Sequence, residues 1–258
     1  MDGPRCQSDA MPSPTIRLDQ LLVDRRLAAS RSRARDAILR GCVEVDGKVC
    51  RKPGANVDQA AQIANTDDAG AYVSRAALKL VAGLDACRFD PHGLVALDIG
   101  ASTGGFSQVL LERGAGKVLA VDVGHGQMDQ TLRDDPRIVV LEGVNARDLS
   151  LEHLDGNTPD IVVSDLSFIS LMKGAEPALL MAAETARAIL LVKPQFEVGR
   201  AGVGKGGLVK DDALIDETNA HIQGWFNALP GWSVTHFLPS PITGGDGNRE
   251  FLLCGMRT

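Results

Sequence analysis

The chain has 258 residues, of which 44% are hydrophobic and 23% charged, and its net charge is −6. This is enough apolar material for a sizeable core in one large or two unequal domains, and it excludes wholesale disorder. No apolar run is long enough to span a bilayer, and the five cysteines (Cys6, Cys42, Cys50, Cys87, Cys254) contain no CxxC pair. A disulfide scaffold and a zinc site are therefore not expected, and buried free thiols in a reducing, cytoplasmic compartment are. The five histidines share no metal-ligand spacing, so no metal is expected.

Residues 1–14 are polar, contain prolines and lack the apolar core of a signal peptide, so they read as a disordered tail. Residues 17–52 hold ten Lys/Arg against five Asp/Glu, whereas residues 53–258 carry a net −10. A small basic module is thus joined to a larger acidic one, and the overall acidity conceals a nucleic-acid partner. Leu18, Leu21 and Leu22 share one face of a first helix. A second helix follows Ser30 as its N-cap, with Ala34, Ala37 and Ile38 on one side, and Arg31, Arg33, Arg35 and Arg40 on the other. Gly41 stops it. The next segment, VEVDGKV, alternates around an Asp-Gly turn and predicts a hairpin. Two helices and a hairpin with grouped arginines can grip phosphates, although charge alone equally describes a solvated helix face. Residues 17–58, which run RLDQLLVDRRLAASRSRARDAILRGCVEVDGKVCRKPGANVD, resemble the RNA-binding domain named for ribosomal protein S4, the alpha-L motif. That resemblance implies RNA contacts by Arg31, Ser32, Arg33, Arg35, Arg40, Lys48 and Lys52.

The basic domain is placed at residues 15–64, a polar linker at 65–72 and a second domain at 73–258. A helix is expected to begin at Tyr72-Val73-Ser74, with Ser74 or a neighbour as its cap. Beyond it, LDIGASTGGF reads as a strand, a glycine turn and a helix, the entry to a nucleotide-binding α/β domain. Gly100, Gly104 and Gly105 let backbone approach a ligand, and the helix start offers free N–H groups. Asp98 directs the choice of ligand. An acid at this point repels a pyrophosphate but suits a cationic amino-acid end, as in S-adenosylmethionine (SAM). The next predicted strand, KVLAVD, ends in Asp122, about 20 residues past the glycines, where an acid commonly binds ribose hydroxyls.

Further strands are predicted near residues 137–141, 160–163, 188–192, 232–237 and 250–254, alternating with helices. The pattern gives a Rossmann-like α/β domain, a mainly parallel sheet with helices on both faces, whose ligands bind beyond the carboxyl ends of the strands. Asp165 and Lys193 follow such strands, and Glu250 borders the last one. Taken singly, Lys193 reads as a strand-end lysine snorkelling to water, Glu250 as an edge charge and Lys79 as a surface helix residue. Only together do they suggest a site.

The segments VSRAALKL, LDIGASTGGFSQVLL, AVDVGHGQM, SDLSFISL, LVKPQFEVGR, GKGGLVKD and SPITGGDGNREFLL resemble the TlyA-type family, historically called haemolysin A. These proteins join the S4-type domain to an FtsJ-like ribosomal RNA 2′-O-methyltransferase domain. The resemblance implies a Lys-Asp-Lys-Glu tetrad at Lys79, Asp165, Lys193 and Glu250, with Lys193 as the base for a ribose 2′-hydroxyl or the group that positions it. It implies SAM as cofactor, with Asp98 and Gly100 at its amino-acid end. Ser102, Gly104, Gly105 and Phe106 would line the loop, Asp122 would hold the ribose, and Asn145 and Asp148 the adenine. The implied partner is ribosomal RNA within ribosomal subunits, with cytidine as the target. No membrane partner is expected and no protein partner can be inferred. The glycine-rich segment 204–210 would be a basic loop over the substrate. Tyr72 departs from the family, where a tryptophan is familiar. Three alternatives stand beside this reading: a nonenzymatic RNA-binding or ribosome assembly factor, a membrane-active cytolysin, and a nicotinamide dehydrogenase.

Overall fold

The computed structural model describes residues 14–28 and 30–258, so the expected tail lies outside the described residues except for Pro14. The chain divides into two units between Ala71 and Tyr72.

In the first unit, β1 (Thr15–Arg17) pairs antiparallel with β4 (Asn56–Asp58), and β2 (Val43–Val45) lies between β3 (Lys48–Val49) and β5 (Ile63–Asn65). Helices α1 (Leu18–Asp24) and α2 (Arg31–Arg40) close the core around Leu18, Leu22, Ala34, Ile38 and Val43. The local signals act as the sequence predicts. Ser30 Oγ accepts from Arg33 N at 3.3 Å, and Gly41 ends the helix in the left-handed region at φ 81°. Asp46 and Gly47 turn the hairpin with φ of 50° and 74°, the signature of a type I′ turn. Asp19 is buried under two arginines. Its Oδ2 accepts from Arg17 at 2.7 Å and from Arg31 at 3.2 Å. The Arg17 guanidinium holds this carboxyl down at about 2, against the opposing effect of burial, and Arg31 adds to the lowering.

In the second unit seven strands form one sheet. They are β6 (Val95–Ile99), β7 (Lys117–Asp122), β8 (Ile138–Glu142), β9 (Ile161–Ser164), β10 (Arg187–Val192), β11 (Trp232–Pro239) and β12 (Phe251–Arg257), in the order β11-β12-β10-β9-β6-β7-β8. All neighbours are parallel except β12, which runs antiparallel to both β10 and β11. Near-continuous apolar runs such as IVVS and RAILLV form the central strands because both faces of the sheet are covered. Helices α3 (Ala77–Cys87) and α4 (Gly105–Glu112) pack on one face through Leu80, Leu84, Leu110, Val163 and Ile189. Helices α6 (Leu171–Met181) and α8 (Asp212–Ala228) pack on the other through Leu179, Ile222, Phe226, Val162 and Leu190. Val162 and Val163 point to opposite faces, as successive strand residues must. Two short helices, α5 (Gln130–Arg133) and α7 (Gly199–Gly202), lie in connections. The strand order reverses between β6 and β9, which makes their carboxyl ends the switch point where ligands bind in such sheets.

Two expectations need correction. Helix α3 begins at Ala77 rather than near Tyr72, because Ala77, Leu78 and Lys79 donate to carbonyls three residues back and make a tight entry turn. Ser74 Oγ accepts from Ala76 N at 3.2 Å within that turn and caps no α-helix. Nor are all cysteines free: Cys87 of α3 and Cys254 of β12 form a disulfide across 167 residues, a pairing that no local spacing signals. Cys42 and Cys50 are free but only half-buried. Among the described residues no helix is long and apolar enough to cross a membrane.

The β12 packing is tight. A Cβ on Gly255 would run into the Phe226 ring and stand 2.9 Å from the Ser233 carbonyl oxygen. Gly255→Ala is therefore expected to lower stability by roughly 1–3 kcal/mol through overpacking, read as a fall in melting temperature.

Candidate active site

Four charged side chains converge at the carboxyl ends of β9 and β10. Lys79 stands in the first turn of α3, Asp165 directly after β9, Lys193 directly after β10 and Glu250 directly before β12. Lys193 is extended (φ −120°, ψ 97°), as a residue before proline prefers, and this turns the chain out of the sheet into the Pro194–Phe196 turn. The charges alternate. Lys193 Nζ lies 2.6 Å from Asp165 Oδ1, Lys79 Nζ lies 3.6 Å from Asp165 Oδ2, and Lys79 Nζ donates to Glu250 Oε2 at 2.6 Å. Lys79, Lys193 and Glu250 are 6%, 7% and 5% exposed. Ions so far from water persist only when each has a partner. Lys193 Nζ also donates to Ser167 Oγ at 2.8 Å and stands 5.8 Å from the centre of the Phe196 ring.

Two cavities meet here. The smaller, about 260 Å³, has the four charged residues in its wall with Gly105, Phe106 and Gln195. The larger, about 530 Å³, runs over the β6, β7 and β8 ends past Asp122, Val123 and Asn145. Gly100, Ser102, Asp165, Ser167 and Phe168 border both. The turn after β6 makes the junction possible. Gly100 has φ 80°, and a Cβ there would stand 3.2 Å from the Asp165 carbonyl oxygen. Only a glycine lets the turn lie against the end of β9. Asp122 then fixes the loops, its Oδ2 accepting from Ser102 N at 2.8 Å and its Oδ1 from Gly124 N at 2.7 Å.

Gly100, Ser102, Asp122 and Asn145 line the larger cavity, whereas Gly105 and Phe106 line the smaller. Gly104 lines neither; at φ 95° it packs against Leu132 and starts α4. Asp148 is exposed and away from both cavities, while Asn145, three residues earlier, caps the turn with its side chain accepting from Arg147 N at 3.1 Å. Asp98 also lies on neither wall. It is fully buried beneath the turn, with Oδ2 accepting from Ser107 Oγ of α4 at 2.7 Å. Sequence reasoning missed Phe168. Its side chain is 92% exposed, its φ is +64°, and its ring is 5.3 Å from that of Phe196. The signal was an aromatic in a polar loop just past a strand end.

SAM fits the larger cavity by its chemistry. The wall offers the Asp122 carboxylate, the Asn145 amide and the apolar Val123, and the turn beside it carries the buried Asp98 Oδ1, which has no hydrogen-bond partner. A cation bound above the turn would favour the ionised form of Asp98 over the protonated form that burial favours.

In the first unit, Arg31, Ser32, Arg35, Lys48 and Lys52 are exposed. Three of the expected RNA contacts also have partners within the unit. Arg31 is paired with Asp19 at 3.2 Å. Arg40 forms an ion pair with Asp67 at 2.6 Å, and Arg33 donates to the Ala69 carbonyl at 3.2 Å.

Burial pushes the Asp98 carboxyl up to about 7, against the Ser107 hydroxyl, with the negative charges of Asp165 and Asp122 adding to the rise. Between about pH 4 and 7 the native state then keeps a proton that the unfolded chain has released. The contribution of Asp98 to stability is full below about pH 4 and is lost as pH rises towards 7. Asp98→Asn is expected to flatten the fall in melting temperature across that window.

Residues 72–257 match the FtsJ-like methyltransferase family, and residues 16–63 match the S4 domain. The chain is 45% identical to the 16S/23S rRNA (cytidine-2′-O)-methyltransferase TlyA of Mycobacterium tuberculosis, over 92% of this chain and 88% of that one. It is 39% identical to a Brachyspira hyodysenteriae protein named hemolysin A, over 92% of this chain and 98% of that one. A solved structure described as a hemolysin from Streptococcus thermophilus superposes with a TM-score of 0.71 at 33% identity, covering 95% of this chain and 89% of that one. The chain therefore belongs to the TlyA-type branch of the FtsJ-like methyltransferases, with an S4 domain ahead of the methyltransferase domain.

Proposed function

We propose that this protein methylates the ribose 2′-hydroxyl of a cytidine in ribosomal RNA, with SAM as methyl donor, in the cytoplasm. The observation that carries the reading is the alternating chain Lys193–Asp165–Lys79–Glu250 in the wall of a small cavity that opens onto a larger one beside Asp122. Bound SAM supplies an electrophilic methyl group on a sulfonium centre. Gly100, Ser102, Asp122 and Asn145 would hold it in the larger cavity, and the acceptor ribose would enter the smaller one.

A ribose hydroxyl is a weak nucleophile, so the protein must align it and provide for its proton. Lys193 Nζ is held between Asp165 and Ser167, which leaves one direction open for the acceptor oxygen. In that position it would serve as the base for the hydroxyl proton or as the group that positions the hydroxyl. Asp165 is fixed in turn by Lys79, and Lys79 by Glu250, so the outer two residues act by positioning. Phe168 offers an exposed ring beside the acceptor cavity on which an unstacked base can lie. The exposed Arg31, Ser32, Arg35, Lys48 and Lys52 of the S4 domain supply RNA contacts that do not depend on the target base.

The test is transfer of labelled methyl from SAM to separated, undermethylated small and large ribosomal subunits. Label is expected on one or both, and Lys193→Ala is expected to lower kcat by about 100-fold or more with SAM affinity retained. No label on either subunit, despite demonstrated SAM binding, would sink the ribosomal assignment.

A further inference from the structure

A single buried side chain joins the loop 204–210 to the turn 244–250. Asn248 is 3% exposed. Its Oδ1 accepts from Val209 N at 3.0 Å and its Nδ2 donates to the Gly207 carbonyl at 2.9 Å. Its own carbonyl accepts from Gly244 N at 2.9 Å. The side-chain amide thus spans Leu208 and satisfies the loop backbone on both sides of it, as an adjacent strand would. A primary amide is suited to this because it presents a donor and an acceptor on one short stem.

One partner of this clasp borders the acceptor cavity and the other carries exposed lysines. On one side, the turn is packed on Glu250: a Cβ at Gly244 would stand 2.6 Å from Glu250 Oε1, and Gly245 and Asp246 line the smaller cavity. On the other side, Val209 is buried at 7% exposure, whereas Lys205 and Lys210 are exposed. The tip is not held by its own packing, since added side-chain atoms at Gly206 and Gly207 would meet nothing within 4 Å. The loop closes on itself through Gly204 N to the Leu208 carbonyl and Gly207 N to the Gly204 carbonyl, the amide of Asn248 ties it to the turn, and what it presents is cationic.

We infer that Asn248 is a positioning residue for the RNA substrate: it fixes the 204–210 loop beside the acceptor cavity so that Lys205 and Lys210 meet phosphates flanking the target ribose. The inference rests on the methyl-transfer reading above. Asn248 is not on the wall of the larger cavity, so its effect falls on RNA and not on SAM. Lysine–phosphate contacts release counterions, so they carry a salt dependence that a purely structural defect does not imitate.

The experiment uses the full chain with undermethylated ribosomal subunits and compares the wild type with Asn248→Ala, Asn248→Asp, the pair Lys205→Ala/Lys210→Ala, and all three substitutions together. Asn248→Ala is expected to raise the subunit KM about tenfold and flatten its salt dependence, with kcat falling less than about threefold and SAM affinity unchanged. The lysine pair should do the same, and the triple variant should be no worse than either, because the substitutions remove one shared interaction. Asn248→Asp keeps the bond to Val209 N but sets an oxygen against the Gly207 carbonyl, so it should fall between the wild type and alanine. A KM and salt slope at wild-type values in Asn248→Ala would overturn the inference, as would a parallel loss of SAM affinity or full additivity with the lysine pair. If the wild type labels no subunit, methyl transfer to ribosomes fails on its own account. Filter binding of the same variants to the subunits then reads the loop, with the same order of affinities expected and equal affinities overturning it.

Discussion

A row of alternating charges, Lys193–Asp165–Lys79–Glu250, ties together the ends of β9 and β10, the start of α3 and the approach to β12. Each ion has lost most of its water, so each depends on its neighbour for solvation. Removing one residue leaves its partners buried and uncompensated, a stronger effect than loss of a surface ion pair. The arrangement therefore fixes the positions of four chain segments and at the same time leaves Lys193 aimed at a cavity. Sheet topology makes it possible: the reversal between β6 and β9 opens the crevice, and the antiparallel β12 brings Glu250 back to the carboxyl end of its parallel neighbours.

The larger cavity is built by a different means. Its wall includes the turn bent by Gly100, which the Asp122 carboxylate braces through the N–H groups of Ser102 and Gly124. Asp98 lies below, a buried carboxyl under the turn rather than a group on the cavity wall. Two physical designs thus meet along Gly100, Ser102, Asp165, Ser167 and Phe168: a hydrogen-bonded backbone cradle and a side-chain ion chain. Methyl transfer needs this junction, because donor and acceptor must approach in line with water excluded.

Much of the architecture was legible because its determinants are local. The runs VALDI, KVLAVD, IVVS and RAILLV are strands whose apolar continuity reports burial on both faces, and Ser30, Gly41 and Asp46-Gly47 mark boundaries by side-chain and backbone chemistry. The charged residues could be placed at strand ends, but no single one announced a role, and their grouping came from resemblance to a family. What escaped depends on distance in the chain. Asp98 goes under the turn because Ser107, nine residues on, receives it there. Arg40 pairs with Asp67, 27 residues on, and Cys87 meets Cys254 across 167 residues of sequence. Phe168 was overlooked because an apolar residue near a strand reads as core, and only the fold shows its ring in solvent.

The central claim is that the ion chain serves a ribose oxygen and not a base atom. Nucleoside mass spectrometry of ribosomal RNA, digested after reaction of undermethylated subunits with the purified protein and SAM, tests it most directly. The account predicts that the added methyl appears as 2′-O-methylcytidine. A methyl group on a base, with unmodified ribose, would contradict it.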